Sequence, residues 1–331
     1  MQDRFVTAVE NEQEEAIEDD QNLRPKLFVD VIGRSKEKRT LGILLAAAKK
    51  RNEALDHILL HGPPGLGKTS LAQVIAREYG VDFYSTSGPA IDRKGDLASI
   101  LTNIADKGIL FIDEIHRLSR SVEEMLYSAM EDRVIDIIIG KGPSARTLKL
   151  ELNDLTIIGA TTRVGLLTSP FRDRFGLDLH LDFYDPLEIE QLLEQKAAIL
   201  GINLDKAARF KIAQRARRTP RLAIRILKRA RDLAQVEGKE KIDEEIAEKI
   251  FELINIDEHG LDSLDRKIIN AIIEQFKGGP VGLSTLAATV GEDLDTIQDV
   301  YEPYLLQSGF LTRTPRGRAA TAKALSFYKK R

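Results

Sequence analysis

One run of eight residues, Gly62-Pro63-Pro64-Gly65-Leu66-Gly67-Lys68-Thr69, constrains this chain more than any other. It has the spacing G-x-x-x-x-G-K-[ST] of a phosphate-binding P-loop, and its flanks are those such a loop needs. Upstream, residues 57–61 form an apolar run of strand length. Downstream, residues 70–79 have helical spacing and stop at Gly80. Glycines at 62, 65 and 67 let backbone N–H groups wrap a phosphate, while the helix start turns its positive end to the anion. Lys68 reaches for the β- and γ-phosphates, and the Thr69 hydroxyl is placed to ligate Mg²⁺. The expectation is a nucleoside triphosphate site.

A P-loop alone does not separate a kinase from a motor. Leu110-Phe111-Ile112-Asp113-Glu114 is an apolar strand ending in two acids, the Walker B pattern. Asp113 suits the water shell of Mg²⁺, and Glu114 suits polarising a water that attacks the γ-phosphate. An isolated Asp-Glu pair is an ordinary solvated strand end, but downstream of a P-loop it reads as hydrolytic machinery. Residues 155–160 form a further strand ending in Thr161-Thr162-Arg163. A hydroxyl there would orient the attacking water, although Thr-Thr at a strand end also follows from β-propensity alone. Then comes Ser169-Pro170-Phe171-Arg172-Asp173-Arg174-Phe175-Gly176. An arginine so soon after that strand cannot easily reach its own subunit's nucleotide. It is either a surface arginine paired with Asp173 or, in a ring, a finger for the neighbour's site. Arg218-Thr219-Pro220-Arg221 opens a helix at the end where the dipole disfavours a cation, so an anionic partner such as the γ-phosphate is expected.

The strand candidates 58–61, 82–85, 109–112 and 155–160 alternate with helical runs from Leu23 to about Phe183, the pattern of an α/β domain with a mainly parallel sheet. Residues 134–152 interrupt it: two β-rich runs flank Gly140-Lys141-Gly142-Pro143-Ser144-Ala145-Arg146 and read as an inserted, protruding hairpin. Residues 184–255 are helical by period, a small helical domain. From 256 to the end, three helices and a hairpin around Pro315-Arg316-Gly317 give the winged-helix order.

With 331 residues there is room for two or three such domains, and 43% apolar residues suffice for their cores. No run approaches the roughly 20 apolar residues of a membrane span, and the acidic start is no signal peptide. With no cysteine and five scattered histidines, neither disulfides nor a thiolate metal site is expected, and the chain reads as cytoplasmic. The net charge of −3 hides a polarity. Residues 1–22 are acidic and without period, suited to a mobile start, whereas the chain from Arg313 onward is basic.

Taken together these strings resemble the AAA+ ATPases, and within them the bacterial motors that drive branch migration of Holliday junctions. The resemblance runs from about Leu23 to the C-terminus. Its most specific strings include Leu23-Arg24-Pro25-Lys26, Thr86-Ser87-Gly88-Pro89, residues 111–118, Gly278-Gly279-Pro280-Val281-Gly282 and Arg313-Thr314-Pro315-Arg316-Gly317-Arg318. It implies that Leu23, Arg24 and Tyr184 surround adenine, and that Lys68, Thr69 and Ser70 hold phosphates and Mg²⁺. It further implies Thr162 as sensor 1, Arg221 as sensor 2 and Arg174 as the finger, with Arg172 its competitor. Glu131 and Asp132 would lie near nucleotide at a subunit interface. A homo-hexamer on double-stranded DNA, hairpin docking to the junction-binding protein RuvA, and indirect work with the resolvase RuvC are implied as well. Two positions depart from the family pattern: Arg218 stands for a usual Gly, and Arg133 for a usual aromatic.

Arg313, Arg316 and Arg318 fall in and beside the wing, where arginines can follow a phosphate backbone without reading bases. A wing that binds protein instead is the plain alternative. At the level of function, the alternative is a replication initiator or clamp-loader subunit, which uses ATP as a loading switch. A protein unfoldase would need an aromatic pore loop where Thr86-Ser87-Gly88-Pro89 stands.

Overall fold

The protein was analysed as a computed structural model that describes residues 23–139 and 146–329. The acidic start, the hairpin tip at 140–145 and the last two basic residues lie outside the described residues. The chain divides into two compact units. The first runs to Asp182 but leaves out Pro63–Leu66, which group with the second unit, Phe183 onward.

The first unit is built on a five-stranded parallel sheet in the order β2-β3-β6-β1-β7. Its strands are β1 (Ile58–His61), β2 (Phe83–Ser87), β3 (Gly108–Asp113), β6 (Leu155–Thr161) and β7 (Leu177–His180). Every residue of β6 and nearly every residue of β1 and β3 is buried, as expected of strands covered on both faces by helices. That continuous burial is why these three were legible as apolar runs. The edge strand β7 was not anticipated. Its Leu-Asp-Leu-His alternates at period two and buries fully only Leu179. The hairpin is present as β4 (Val134–Ile139) and β5 (Arg146–Glu151), paired antiparallel from Val134 opposite Glu151 to Ile139 opposite Arg146.

Because β1, β3 and β6 are adjacent and parallel, their carboxyl ends line up. The P-loop leaves β1, Asp113 and Glu114 leave β3, and Thr161 with Thr162 leaves β6. This is the edge at which open α/β sheets gather ligand-binding groups.

The second unit contains the helices Pro186–Ile199, Lys206–Arg215, Pro220–Val236 and Glu244–Leu253. Pro186 and Pro220 each open a helix, where a missing N–H costs nothing. Helices Ser263–Glu274 and Leu283–Val290 follow, then a helical run over Leu294–Thr296, Ile297–Tyr301 and Glu302–Gln307. The middle piece of that run is a π-turn. Pro303 can donate no hydrogen bond back to the preceding turn, so the ladder widens ahead of it. The wing is a hairpin of strands Leu311–Thr314 and Gly317–Ala320, which sets Arg313 opposite Arg318. The basic end is not a loose tail: Ala322–Lys329 is a helix whose Ala324 is fully buried and whose Phe327 packs edge-on to Phe310.

Candidate functional site

At the P-loop, Gly62 and Gly67 take positive φ angles of 141° and 89°. A side chain at 62 would have its Cβ 2.3 Å from the Leu181 carbonyl oxygen, so only glycine fits. Lys68 begins the following helix and is 7% exposed. Its Nζ donates to the Gly62 carbonyl at 2.8 Å, closing the loop upon itself. Burial pulls the Lys68 pKa down, while Glu114 and Asp113 push it back up. A buried ammonium inside a glycine loop is the donor set a triphosphate requires, and Thr69 and Ser70 sit half-buried in the first helical turn beside it. Asp113 accepts from the Glu114 backbone N–H at 3.0 Å, leaving a carboxylate at the strand end for a hydrated cation.

Glu114 is held in the left-handed region, φ 47°, a conformation that costs a non-glycine residue on the order of 1–2 kcal/mol. Its neighbours enforce it. Gly88 approaches so closely that a Cβ there would lie 2.4 Å from the Glu114 carbonyl oxygen. The Glu114 carboxylate Oε2 lies 3.4 Å from Thr162 Oγ1, which donates to it, and 3.2 Å from His116 Nδ1. His116 Nδ1 is in turn 2.9 Å from Thr161 Oγ1. Sequence reasoning placed Glu114 and Thr162 but passed over His116, whose partner Thr161 stands 45 positions away.

Within the second unit, Gly65 has φ 77° and its carbonyl accepts from Arg221 N–H at 3.4 Å. A Cβ at Gly65 would stand 3.2 Å from the Cβ of Arg221, so this glycine allows close approach of the Arg221 helix. Arg218 has φ 57°, a backbone conformation in which glycine is the unstrained residue. Its guanidinium donates to the Tyr184 carbonyl at 2.7 Å and to Asp185 at 2.9 Å, fastening the segment that carries buried Tyr184. Arg217, also left-handed, pairs with Asp262 at 2.7 Å and with Asp265, and donates to the Gly260 carbonyl at 2.9 Å.

Arg174 is engaged within its own chain. It donates to Glu131 at 3.0 Å and to the Pro170 carbonyl at 3.1 Å, with its guanidinium 5.3 Å from the Tyr127 ring centre. The pairing with Asp173 considered from sequence is not the contact formed. Arg133, at φ 54°, pairs with Asp154. Leu23 is buried, whereas Arg24, Asp132 and Arg172 are exposed. In the wing, Arg318 binds Glu302 through two nitrogens, both at 2.9 Å, and Arg313 binds the same carboxylate at 2.8 Å. Glu302 is buried, and although burial pushes its pKa up, the two arginines hold it below the usual carboxylate range. Arg316 is exposed at the turn between the strands, so the three wing arginines do not present themselves alike.

Three family models tile the chain in the order this geometry suggests. The "Holliday junction DNA helicase RuvB P-loop domain" matches residues 23–181, the "RuvB AAA lid domain" residues 184–257, and the "RuvB C-terminal winged helix domain" residues 258–329. The chain belongs to the RuvB family. A RuvB relative from Clostridium kluyveri, a Holliday junction branch migration complex subunit, is 54% identical over 330 residues, covering 100% of this chain and 94% of its own. The solved RuvB branch migration motor of Thermotoga maritima is 48% identical with a TM-score of 0.86, covering 93% of this chain and 98% of its own. An ORC2 protein from Aeropyrum pernix, 17% identical at a TM-score of 0.57 over 88% of this chain and 89% of its own, shares the fold alone. The RuvB architecture of P-loop, lid and winged-helix domains is therefore the architecture here. Among the described residues no helix is long and apolar enough to cross a membrane.

Proposed function

We propose that this chain is the ATP-hydrolysing motor of branch migration, moving double-stranded DNA through Holliday junctions in recombination and repair. The observation that carries this is the convergence of Lys68, Asp113, Glu114 and Thr162 at one edge of the sheet, in a chain that also bears a wing with an exposed arginine. The working modules are residues 23–183 for ATP, 184–255 as the lid and 256–331 for DNA.

Lys68 and Ser70 bind the phosphates. Thr69 and Asp113 would hold Mg²⁺, which would neutralise phosphate charge. Glu114 takes the proton of the attacking water, while Thr162 holds the carboxylate at its side. Leu23, Arg24 and Tyr184 pack about adenine, and Arg221 senses the γ-phosphate. Arg174 serves the neighbouring subunit of a homo-hexamer as an arginine finger, leaving Glu131 to do so. Glu131 and Asp132 then belong to the subunit junction. The hairpin docks on RuvA, and through the junction the motor works with RuvC in the cytoplasm.

Branch migration of a synthetic four-way junction tests the reading. We expect ATP-dependent strand separation with RuvA present and a much weaker reaction without it. A loading switch of the initiator or clamp-loader type would hydrolyse ATP without moving the junction.

A further inference from the structure

Glu114 leaves β3 at an angle dictated by its backbone, but its side chain still has freedom that the backbone does not remove. It is 35% exposed and carries several rotatable bonds. Two groups reach it. Thr162 Oγ1 at 3.4 Å is a long contact, and His116 Nδ1 at 3.2 Å is the nearer. A carboxylate only accepts hydrogen bonds, so the His116 contact is attractive when Nδ1 carries the hydrogen.

The His116 ring is itself fixed. Its side chain is 6% exposed and lies on the short 3₁₀ turn Ile115–Arg117. That turn sits flat on β6 because Gly159 has no side chain; a Cβ there would come within 2.9 Å of Ile115 Cδ1. The ring Nδ1 lies 2.9 Å from Thr161 Oγ1, an oxygen that accepts the Arg163 backbone N–H at 2.9 Å, so a hydrogen on Nδ1 is shared between that oxygen and the Glu114 carboxylate. His116 thus bridges the end of β6 to the Glu114 carboxylate.

We propose that His116 is a positioning residue for ATP hydrolysis, holding the Glu114 carboxylate through Nδ1 against the end of β6 so that it meets the attacking water correctly. The inference rests on Glu114 being the hydrolytic carboxylate. It assigns His116 no contact with nucleotide, so its loss should affect turnover and not binding. Misplacing a reacting group by about 1 Å can cost roughly a hundredfold in rate.

The test is steady-state ATP hydrolysis by assembled protein on duplex DNA, with four variants. His116→Phe should lower kcat about tenfold or more and leave the KM for ATP within about twofold. His116→Asn, whose amide can put an N–H near the place of Nδ1, should recover most of the rate. His116→Gln, which carries its amide near the place of Nε2, should not. Equal rates for the Asn and Gln variants, or a parent rate for the Phe variant, would overturn the role of His116 alone. If the Phe variant fails to assemble, the Asn–Gln comparison decides. A Glu114→Gln protein that turns over at the parent rate would instead overturn the reading of Glu114, and this inference with it.

Discussion

Lys68 is a buried cation that donates to a carbonyl of its own loop, and burial works against its charge, which makes it costly to keep. Lys68→Ala should therefore abolish ATP binding or turnover while leaving thermal stability close to the parent; nucleotide titration and a melting curve read the two separately. Glu114→Gln differs in kind, since the amide preserves the shape and Asp113 keeps its place. It should retain ATP, trap assembled rings and stop hydrolysis. Arg174→Ala should also bind ATP without hydrolysing it, with a loss on the order of 10³–10⁵ if the arginine acts across subunits. Mixing Arg174→Ala subunits with Lys68→Ala subunits should restore some activity at mixed interfaces. A mixture that co-assembles yet stays silent would show that Arg174 works in its own subunit.

At the scale of the element, the wing separates two tasks that its sequence joins. Arg316 faces solvent, and Arg316→Ala should weaken binding equally on unrelated duplexes and reduce the salt slope by about one, the ~0.9 expected per phosphate contact. Arg318 is 18% exposed and shares Glu302 with Arg313. Arg318→Ala should destabilise the protein by on the order of 2 kcal/mol in chemical denaturation, below the ~3–5 of a fully orphaned buried charge because Arg313 remains. The sequence showed three arginines in a short stretch, but the carboxylate that takes two of them lies at least 11 positions away, in the helix Glu302–Gln307. The same limit hid other features. The strands β1, β3 and β6 were legible because burial on both faces makes them apolar throughout, while β7 buries one face and is only four residues long. The helix Ala322–Lys329 was not legible because charge dominates the composition there; it packs because Ala324 and Phe327 find Phe310 and its neighbours. His116 lay inside a quoted motif, yet nothing local marks it as the partner of Thr161.

At the scale of the whole molecule, the second unit is tied together by Arg217. Burial opposes its charge, but Asp265 and Asp262 together carry its pKa above the usual guanidinium value. Burial also pushes Asp265 up to about 7, against the pull of Arg217. The two shifts conflict only if one carboxyl serves both. The Asp262 side chain is 27% exposed and that of Asp265 0%, so burial acts most strongly on Asp265. Unfolded, Asp265 would titrate near its ordinary 3.8. The native state therefore binds a proton that the unfolded chain has released, and this contribution, full below that value, is lost as pH rises toward 7. The melting temperature of the parent minus that of Asp265→Asn should be larger at pH 5 than at pH 8. An equal difference at both would mean that Asp265 stays ionised throughout.

Arg217 and Arg218 are successive left-handed residues, and each guanidinium is anchored, one beside Ser263–Glu274 and the other on the strand of chain holding Tyr184. Two such residues in a row leave the chain little torsional slack, since most neighbouring conformations are sterically closed to them. Such a joint is expected to resist twisting more than one with glycine at 218 would. A glycine at 218 would relax it, and the twist delivered at one end would then be absorbed before it arrived at the other. In this chain two adjacent peptide units are held in a narrow backbone region that a glycine at 218 would widen.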